Sequence, residues 1–306
     1  MTRPRRAPSV GLAVLAAVLS LVICGCGGSA RASSPLVSFE SPKAVGFYAR
    51  WYRPRVARDR TAILLFGGSD GGLFTDPLPA TLAAQGYPVL DLAYFREPGL
   101  PQQLEGIRLE YFQRALRWLA GQPQVNPKRI VTFGVSRGGE LSLILAASFP
   151  ALIHGAVGYV PSAYVAGGLP DPSKPAWTYR GKPVFGWPLA GTIPVQKIDG
   201  PVFVAGGGND ALWPSGMFVR TIAQEMRDHG RRDVTALVYP QAGHLLGYVL
   251  PLPSPPTNDK HVYGLIINAN SPPLNLGGSA KADLAARKNA WPKLLAFLAH
   301  ITSAPS

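Results

Sequence analysis

The feature of this sequence that most restricts its fold is a serine placed between two glycines, at the junction of two apolar segments. Residues 134–138 (GVSRG) follow the short apolar run RIVTF and precede the longer apolar run GELSLILAAS. The short run is typical of a buried strand, and the longer one favours a helix. The glycines on either side of Ser136 allow a sharp turn between strand and helix, where larger residues would clash. The pattern therefore predicts that Ser136 lies on a strained turn and is a candidate nucleophile.

Segments with strand and helix character alternate along the rest of the chain. This alternation is typical of parallel β-α-β units, so we predict an α/β fold with a mostly parallel sheet and helices on both faces. The 31 prolines and 34 glycines argue against a helical bundle, and the 47% hydrophobic content argues against a disordered chain. After an extended segment at 38–52, strands are predicted at 61–66, 87–94, 129–133, 153–159, 202–205 and 234–239, and helices at 78–86, 104–120, 139–148, 217–229 and 285–301.

A serine hydroxyl is a weak nucleophile at neutral pH unless a neighbouring base accepts its proton. Among the five histidines, His244 alone follows a predicted strand (VTALVY) through a short loop that contains glycine. The carboxyl ends of parallel strands meet at one edge of a sheet, so this loop places His244 beside Ser136. We therefore expect His244 to be the base. The other histidines are in less suitable positions: His154, His229, His261 and His300.

An acid that orients the histidine is expected at the same edge of the sheet. Asp210 follows the strand PVFVA, whereas Asp199 precedes that strand and falls at the opposite edge. The alternative role for Asp210 is to cap the helix that begins near Ser215. With Asp210 as the acid, the chain order of nucleophile, acid and base is the one found in α/β-hydrolases.

Two backbone N–H groups are expected to face the oxyanion of a tetrahedral intermediate. One follows the nucleophile, at Arg137, where the start of a helix also supplies a positive dipole. The second comes from the turn after an early strand, and we predict Ser69, with Gly68 as the alternative. The run GGSDGG that contains them would also suit a phosphate, but it lacks the Lys and Ser/Thr of a P-loop.

Several segments together resemble the catalytic domain shared by acyl-CoA thioesterases and bile acid-CoA:amino acid N-acyltransferases. They are GGSDGG, LEYFQRALRWLAGQPQV, GVSRGGELSLILA, WTYRGKP, GGNDALWPS, YPQAGHLLG and AWPKLLAFL, spread over residues 62–301. The resemblance implies an α/β-hydrolase with Ser136 as nucleophile, Asp210 as acid and His244 as base, and we predict no cofactor or metal. Family members that transfer an acyl group to an amino acid have cysteine at the nucleophile position, so the serine favours transfer to water.

Three functions remain open at this point. The first is hydrolysis of acyl thioesters or esters, the second is transfer of the acyl group to an amine or hydroxyl, and the third is acyl binding without catalysis by an envelope lipoprotein. Family members often carry a β-sandwich before the catalytic domain, and the residues between the predicted signal and Ala62 are too few for one. Little coenzyme A is present outside the cytoplasm, so an exported enzyme would act on another acyl ester or thioester.

Residues 1–32 have the three-part pattern of an export signal. A stretch at 2–9 that contains basic but no acidic residues is followed by an apolar run at 10–23 and then by small polar residues. The apolar run is short for a stable membrane span. Cleavage is predicted either before Cys26, which would then be lipidated and attach an envelope lipoprotein to a membrane, or after Ala32, which would give a secreted protein. A short uncleaved anchor is the third possibility.

The remaining residues, 36–303, are predicted to form one catalytic domain. Within it, the segment 161–200 is either a cap or a packed surface excursion whose aromatic residues face the core. The net charge is +13, but the basic residues are scattered rather than gathered on one helix or strip, so no nucleic-acid partner is predicted. The predicted partner is a small acyl thioester or ester substrate. The only cysteines are Cys24 and Cys26, so the catalytic domain contains no thiol nucleophile.

Overall fold

The structure is a computed structural model that describes residues 36–40, 42–56, 61–189, 191–253 and 274–303. The predicted export signal, Cys26 and His261 lie outside the described residues. Among the described residues, no helix is both long and apolar enough to span a membrane. The strands are β1 (Leu36–Glu40), β2 (Tyr48–Arg53), β3 (Ala62–Phe66), β4 (Val89–Ala93), β5 (Ile107–Arg108), β6 (Ile130–Val135), β7 (Ala156–Tyr159), β8 (Trp177–Tyr179), β9 (Lys182–Pro183), β10 (Val202–Gly207) and β11 (Val234–Tyr239). The helices are α1 (Pro42–Val45), α2 (Leu78–Ala84), α3 (Leu109–Ala120), α4 (Arg137–Ser148), α5 (Ser215–Asp228) and α6 (Ala280–Ser303), and short 3₁₀ turns occur at Val184–Gly186, Val195–Lys197 and His244–Tyr248.

The main sheet has eight strands among the described residues, in the order β1-β2-β4-β3-β6-β7-β10-β11. Antiparallel pairing joins β1 to β2 and β2 to β4. The remaining neighbours are parallel, from β4 to β3 and on through β6, β7 and β10 to β11. This confirms the predicted α/β fold with a mostly parallel sheet. The parallel strands all end at one edge, and the loops that follow β3, β6, β10 and β11 therefore meet there.

The two faces of the sheet pack against different helices because side chains alternate along each strand. In β3, Leu64 and Phe66 pack in the core that contains α3, α4 and α5, while Ile63 and Leu65 pack in the core that contains α2 and α6. All five residues of β3 are buried, as expected for a parallel strand covered on both faces.

The structure corrects the start of two predicted helices. The helix predicted from residue 104 begins at Leu109, because the chain before it is extended and pairs with a distant segment. The Leu104 N–H donates to the Leu169 carbonyl at 3.1 Å, and β5 pairs with β8 in a second sheet formed with β9. This pairing overrides the helical spacing of apolar residues. The last helix begins at Ala280 rather than at residue 285.

The segment 161–200 packs against the core on the side of α3 and α4. The Trp177 side chain is fully buried, and its ring centroid lies 5.7 Å from that of Tyr94. Tyr179, Phe185 and Trp187 are partly buried against the same core. The role of this segment as a cap stays a prediction, as do the limits 36–303 of the domain.

Candidate active site

Ser136 lies on a strained turn between β6 and α4. Its backbone has φ 56° and ψ −120°, in a region that side-chain-bearing residues rarely occupy. A methyl group added at Gly134 would overlap the Gly138 carbonyl oxygen, and one added at Gly138 would overlap the carbonyl oxygen of Gly67. The flanking glycines are therefore required by close backbone contacts. We call residues 134–138 the serine turn.

Ser136, His244 and Asp210 are linked in a row after the carboxyl ends of β6, β11 and β10, with His244 within hydrogen-bonding distance of the other two. The Ser136 Oγ is 3.0 Å from His244 Nε2, and His244 Nδ1 is 2.8 Å from Asp210 Oδ2. Ser136 is 8% exposed and His244 is 6% exposed. The structure thus brings together the three residues predicted as nucleophile, acid and base. In this geometry the imidazole can accept the serine proton while the carboxylate orients the ring.

The Asp210 carboxylate also contacts the chain that leads into α5. Its Oδ1 accepts the Leu212 N–H at 3.0 Å, and its Oδ2 accepts the Ser215 hydroxyl at 2.6 Å. The same carboxylate therefore contacts both Ser215, at the start of α5, and His244. The two roles predicted as alternatives for Asp210 are both compatible with its contacts. Asp199, the other candidate, precedes β10 and lies at the opposite end of that strand.

The residues predicted to bind an oxyanion lie next to Ser136. A methyl group added at Gly68 would be 3.2 Å from the Ser136 Cβ, so this backbone passes close to the serine. The Tyr94 hydroxyl approaches the carbonyl oxygens of Gly67 and Gly68 at 3.0 and 2.9 Å. Arg137 is the first residue of α4, where backbone N–H groups have no partner inside the helix. Ser69 belongs to the wall of the adjacent pocket.

The Arg137 side chain belongs to a buried network that sequence reasoning missed. Its Nη1 lies 2.9 Å from Glu140 Oε2, and its Nη2 donates to the Gly167 carbonyl at 2.8 Å. The other Glu140 oxygen accepts the Trp177 indole N–H at 2.8 Å and the Ala166 N–H at 3.1 Å. Burial raises the pKa of Glu140, and Arg137 opposes this. The available signal was an acid inside the apolar run GELSLILAAS.

A pocket of about 90 Å³ lies beside Ser136 and His244. The loop 67–76 forms one part of its wall, and the chain near Tyr248 forms another. Asp70 and Asp76 supply carboxylates, and no lysine or arginine lines the pocket within the described part of the chain. Several apolar side chains complete the lining: Leu73, Phe74, Val135, Leu212 and Leu276.

The loop 67–76 is held by two ionisable side chains from the sheet. The Phe74 N–H donates to Asp91 Oδ1 at 3.3 Å, and the Phe74 carbonyl accepts from Arg50 Nη1 at 3.2 Å. Asp91 is 1% exposed, and burial raises its pKa to about 8. These contacts were not predicted, although an acid inside the apolar strand YPVLDLAY indicates a buried polar role.

The fold is that of the α/β-hydrolases. A putative dienelactone hydrolase from Klebsiella pneumoniae superposes with a TM-score of 0.55 and 18% sequence identity, over 87% of this chain and 99% of that one. At this level of identity the similarity concerns the fold alone. The predicted fold class is confirmed.

The family model described as "BAAT / Acyl-CoA thioester hydrolase C terminal" matches residues 107–168 and 188–304. The chain belongs to this family, which confirms the resemblance found in the sequence.

Curated relatives agree with this assignment. "Acyl-coenzyme A thioesterase 2, mitochondrial" of Rattus norvegicus is 30% identical over 248 residues, which are 75% of this chain and 53% of the relative. "Acyl-coenzyme A thioesterase 1" of Homo sapiens is 28% identical over 250 residues, 75% of this chain and 57% of the relative. The chain thus spans about half the length of the curated relatives it matches.

Proposed function

We propose that the protein is a serine acyl hydrolase that cleaves acyl thioesters or related acyl esters through an acyl-enzyme. The observation that carries this proposal is the geometry of Ser136, His244 and Asp210, with its 3.0 and 2.8 Å contacts on a strained strand-to-helix turn. Family membership and the names of the relatives support an acyl thioester as substrate.

In the first half of the proposed reaction, Ser136 Oγ attacks the acyl carbonyl carbon while His244 Nε2 accepts the hydroxyl proton. Asp210 holds the imidazole and stabilises its protonated form. The backbone N–H of Arg137, with that of Ser69 or Gly68, stabilises the oxyanion of the tetrahedral intermediate. When the intermediate collapses, the carbon–sulfur or carbon–oxygen bond breaks and His244 gives its proton to the leaving group.

In the second half, water attacks the carbonyl carbon of the acyl-enzyme. His244 Nε2 accepts a proton from this water, and a second tetrahedral intermediate forms at the same oxyanion site. Its collapse breaks the bond to Ser136 Oγ, which takes the proton back from His244. The carboxylic acid is released, and the serine is regenerated.

The pocket lining supports a placement of the acyl part of the substrate beside Ser136. Its apolar side chains suit an acyl chain, while the carboxylates of Asp70 and Asp76 disfavour phosphate groups. We therefore place the acyl group in this pocket and the leaving group outside it. Both coenzyme A and a smaller thiol or alcohol are compatible with this placement.

The test is turnover of p-nitrophenyl esters and acyl-CoA thioesters of graded chain length by the purified protein and by Ser136→Ala. We expect hydrolysis by the wild type only, and labelling of Ser136 by a fluorophosphonate probe. Acyl transfer to an added amine or alcohol, in preference to water, would favour the acyltransferase alternative. Binding of acyl ligands with neither turnover nor labelling would favour the non-catalytic one.

For the amino-terminal segment, we propose that residues 1–32 direct export and that Cys26 is lipidated. The support is the sequence pattern alone, with a basic start, an apolar run and ICGC at its end. Growth with a palmitate analogue followed by detection of labelled protein tests this. We expect labelling of the wild type and none of Cys26→Ala. Cleavage after Ala32 in the wild type would instead indicate a secreted protein.

A further inference from the structure

Two charged side chains of α6 are fully buried beside His244, although neither belongs to the predicted triad. Asp283 and Arg287 both have 0% exposure. They are four residues apart on one helix, so they lie on the same face of it. Burial of charged groups is costly unless they have specific partners, which makes their contacts informative.

These two side chains contact the backbone on both sides of His244. Asp283 Oδ1 accepts the Gly243 N–H at 2.7 Å, and the Leu245 carbonyl accepts from Arg287 Nη1 at 3.4 Å. His244 is thus enclosed between two hydrogen bonds to α6. We call residues 240–245 the histidine loop.

The chain just before α6 also packs against the histidine loop. The His244 N–H donates to the Leu276 carbonyl at 2.8 Å. A methyl group added at Gly243 would overlap the Gly277 carbonyl oxygen, and one added at Gly277 would overlap the carbonyl oxygen of Asn209. The segment that leads into α6 therefore fits between the histidine loop and the chain that carries Asp210.

Helix capping does not account for the burial of Asp283. The Ser279 hydroxyl oxygen already accepts the Ala282 N–H at 3.2 Å, and the Asp283 N–H donates to the Ser279 carbonyl at 2.8 Å. The second carboxylate oxygen of Asp283, Oδ2, has no hydrogen-bond partner among the described residues. A buried carboxylate with an unsatisfied oxygen requires an explanation beyond the stability of its own helix.

We infer that Asp283 is a positioning residue for His244, and that Arg287 assists it from the other side of the histidine loop. The inference rests on the proposed function, because it concerns the base of the proposed triad. The His244 ring must reach Ser136 and Asp210 at the same time, and an error of about 1 Å in such an arrangement can lower the rate about 10²-fold. Asp283 fixes the backbone immediately before the ring.

The first experiment compares Asp283→Leu with Asp283→Asn, which keeps an oxygen acceptor for the Gly243 N–H. On a p-nitrophenyl ester we expect Asp283→Leu to lower kcat by about 10²-fold while KM changes by less than about twofold. Asp283→Asn should recover most of this loss and remain within about tenfold of the wild type. The matched control is Leu294→Ala, which removes a buried side chain of the same helix in the same core. It should lower the melting temperature and leave kcat unchanged.

A second measurement, hydrogen exchange of the Gly243 amide, does not depend on turnover. We expect this amide to be protected in the wild type and to exchange at least about tenfold faster in Asp283→Leu. A wild-type amide that exchanges like an exposed one would overturn the inference, even where Asp283→Leu fails to fold. The inference would also be overturned if the kcat of Asp283→Leu were equal to that of the wild type. It would be overturned as well if Asp283→Leu and Leu294→Ala had the same kcat. A wild type that neither hydrolyses esters nor reacts with fluorophosphonate would contradict the proposed function, and the exchange data would still test the contact.

Discussion

The serine turn and the histidine loop are held in place by different parts of the chain. The serine turn is fixed mainly by its own sequence, because Gly134 permits the close contact of β6 with Gly138 at the start of α4, while Gly138 also permits the approach of the Gly67 carbonyl after β3. The histidine loop depends on residues far along the chain, since its Gly243 N–H is bound by Asp283 of α6. The difference indicates that the nucleophile is placed by local backbone geometry, whereas the base is placed by tertiary packing.

The loop 67–76 resembles the histidine loop in this respect. Asp91 and Arg50 bind the N–H and the carbonyl of Phe74, much as Asp283 and Arg287 bind the backbone around His244. In each case a carboxylate and a guanidinium from another element hold a short loop at the edge of the site. The partners of the first loop come from strands of the sheet, and those of the second come from a helix.

The strongest predicted loss of activity tests whether the two regions act as one unit. Ser136→Ala and His244→Ala should each lower kcat by about 10⁶-fold, and the double variant should be no worse than either single variant. The reason is that a nucleophile without its base, or a base without its nucleophile, contributes little. Steady-state kinetics on one ester, with circular dichroism as a folding check, makes the comparison. Losses that multiply in the double variant would show that the two residues act independently.

The next effect concerns the acid that connects the two regions. Asp210→Asn should retain the fold and lower kcat by about 10⁴-fold near neutral pH, because the amide can no longer stabilise protonated His244. Asp199→Asn is the matched control, since Asp199 lies at the opposite end of β10, and it should have nearly wild-type kcat. If Asp199→Asn had a strongly reduced kcat and Asp210→Asn had a nearly wild-type kcat, the triad would have to be reassigned.

The difference between the two regions also explains what could be predicted from sequence. The serine turn, the alternating strands and helices, and the positions of Asp210 and His244 after strands follow from local patterns. The pairing of β5 with β8 does not, because it depends on a distant partner. The start of α6 at Ala280 had a local signal that the prediction missed, the Ser279 hydroxyl that accepts the Ala282 N–H. The buried acids share one signal that was available, a charge inside an apolar segment or stripe: Asp91, Glu140 and Asp283.

A smaller effect, on stability, tests how the serine turn is attached to the segment 161–200. Glu140→Ala should lower the free energy of unfolding by about 3–5 kcal/mol, because it leaves Arg137 buried without its carboxylate. The matched control is Glu105→Ala, which removes the more exposed ion pair with Lys174 of the same segment. Glu105→Ala should lower the free energy of unfolding by less than about 1 kcal/mol. Urea unfolding measures both, and equal losses would mean that burial of the Arg137 pair does not matter.

The last effect, which is smallest at acid pH, concerns Asp91, which holds the loop 67–76 from the sheet. Because burial raises the pKa of this carboxyl to about 8 in the folded protein, well above its unfolded value, the folded state binds more protons. Its contribution to stability is therefore fully present below the unfolded pKa of about 3.9, is lost progressively as the pH rises from there, and is gone above about 8.

Asp91→Asn replaces this carboxyl with a neutral group that still offers an oxygen to the Phe74 N–H. At pH 4, where the carboxyl is protonated in the folded state and about half protonated in the unfolded state, the free energy of unfolding should change by no more than about 1 kcal/mol, the size of a single neutral hydrogen bond. Between pH 4 and pH 8 the wild type should lose more stability than the variant, because folding of the wild type must then protonate a carboxyl that is ionised in the unfolded chain. Urea unfolding at these two pH values measures the difference. Equal losses of stability in both proteins would mean that the pH dependence comes from a group other than Asp91. Arg50 would then be the main support of the loop 67–76.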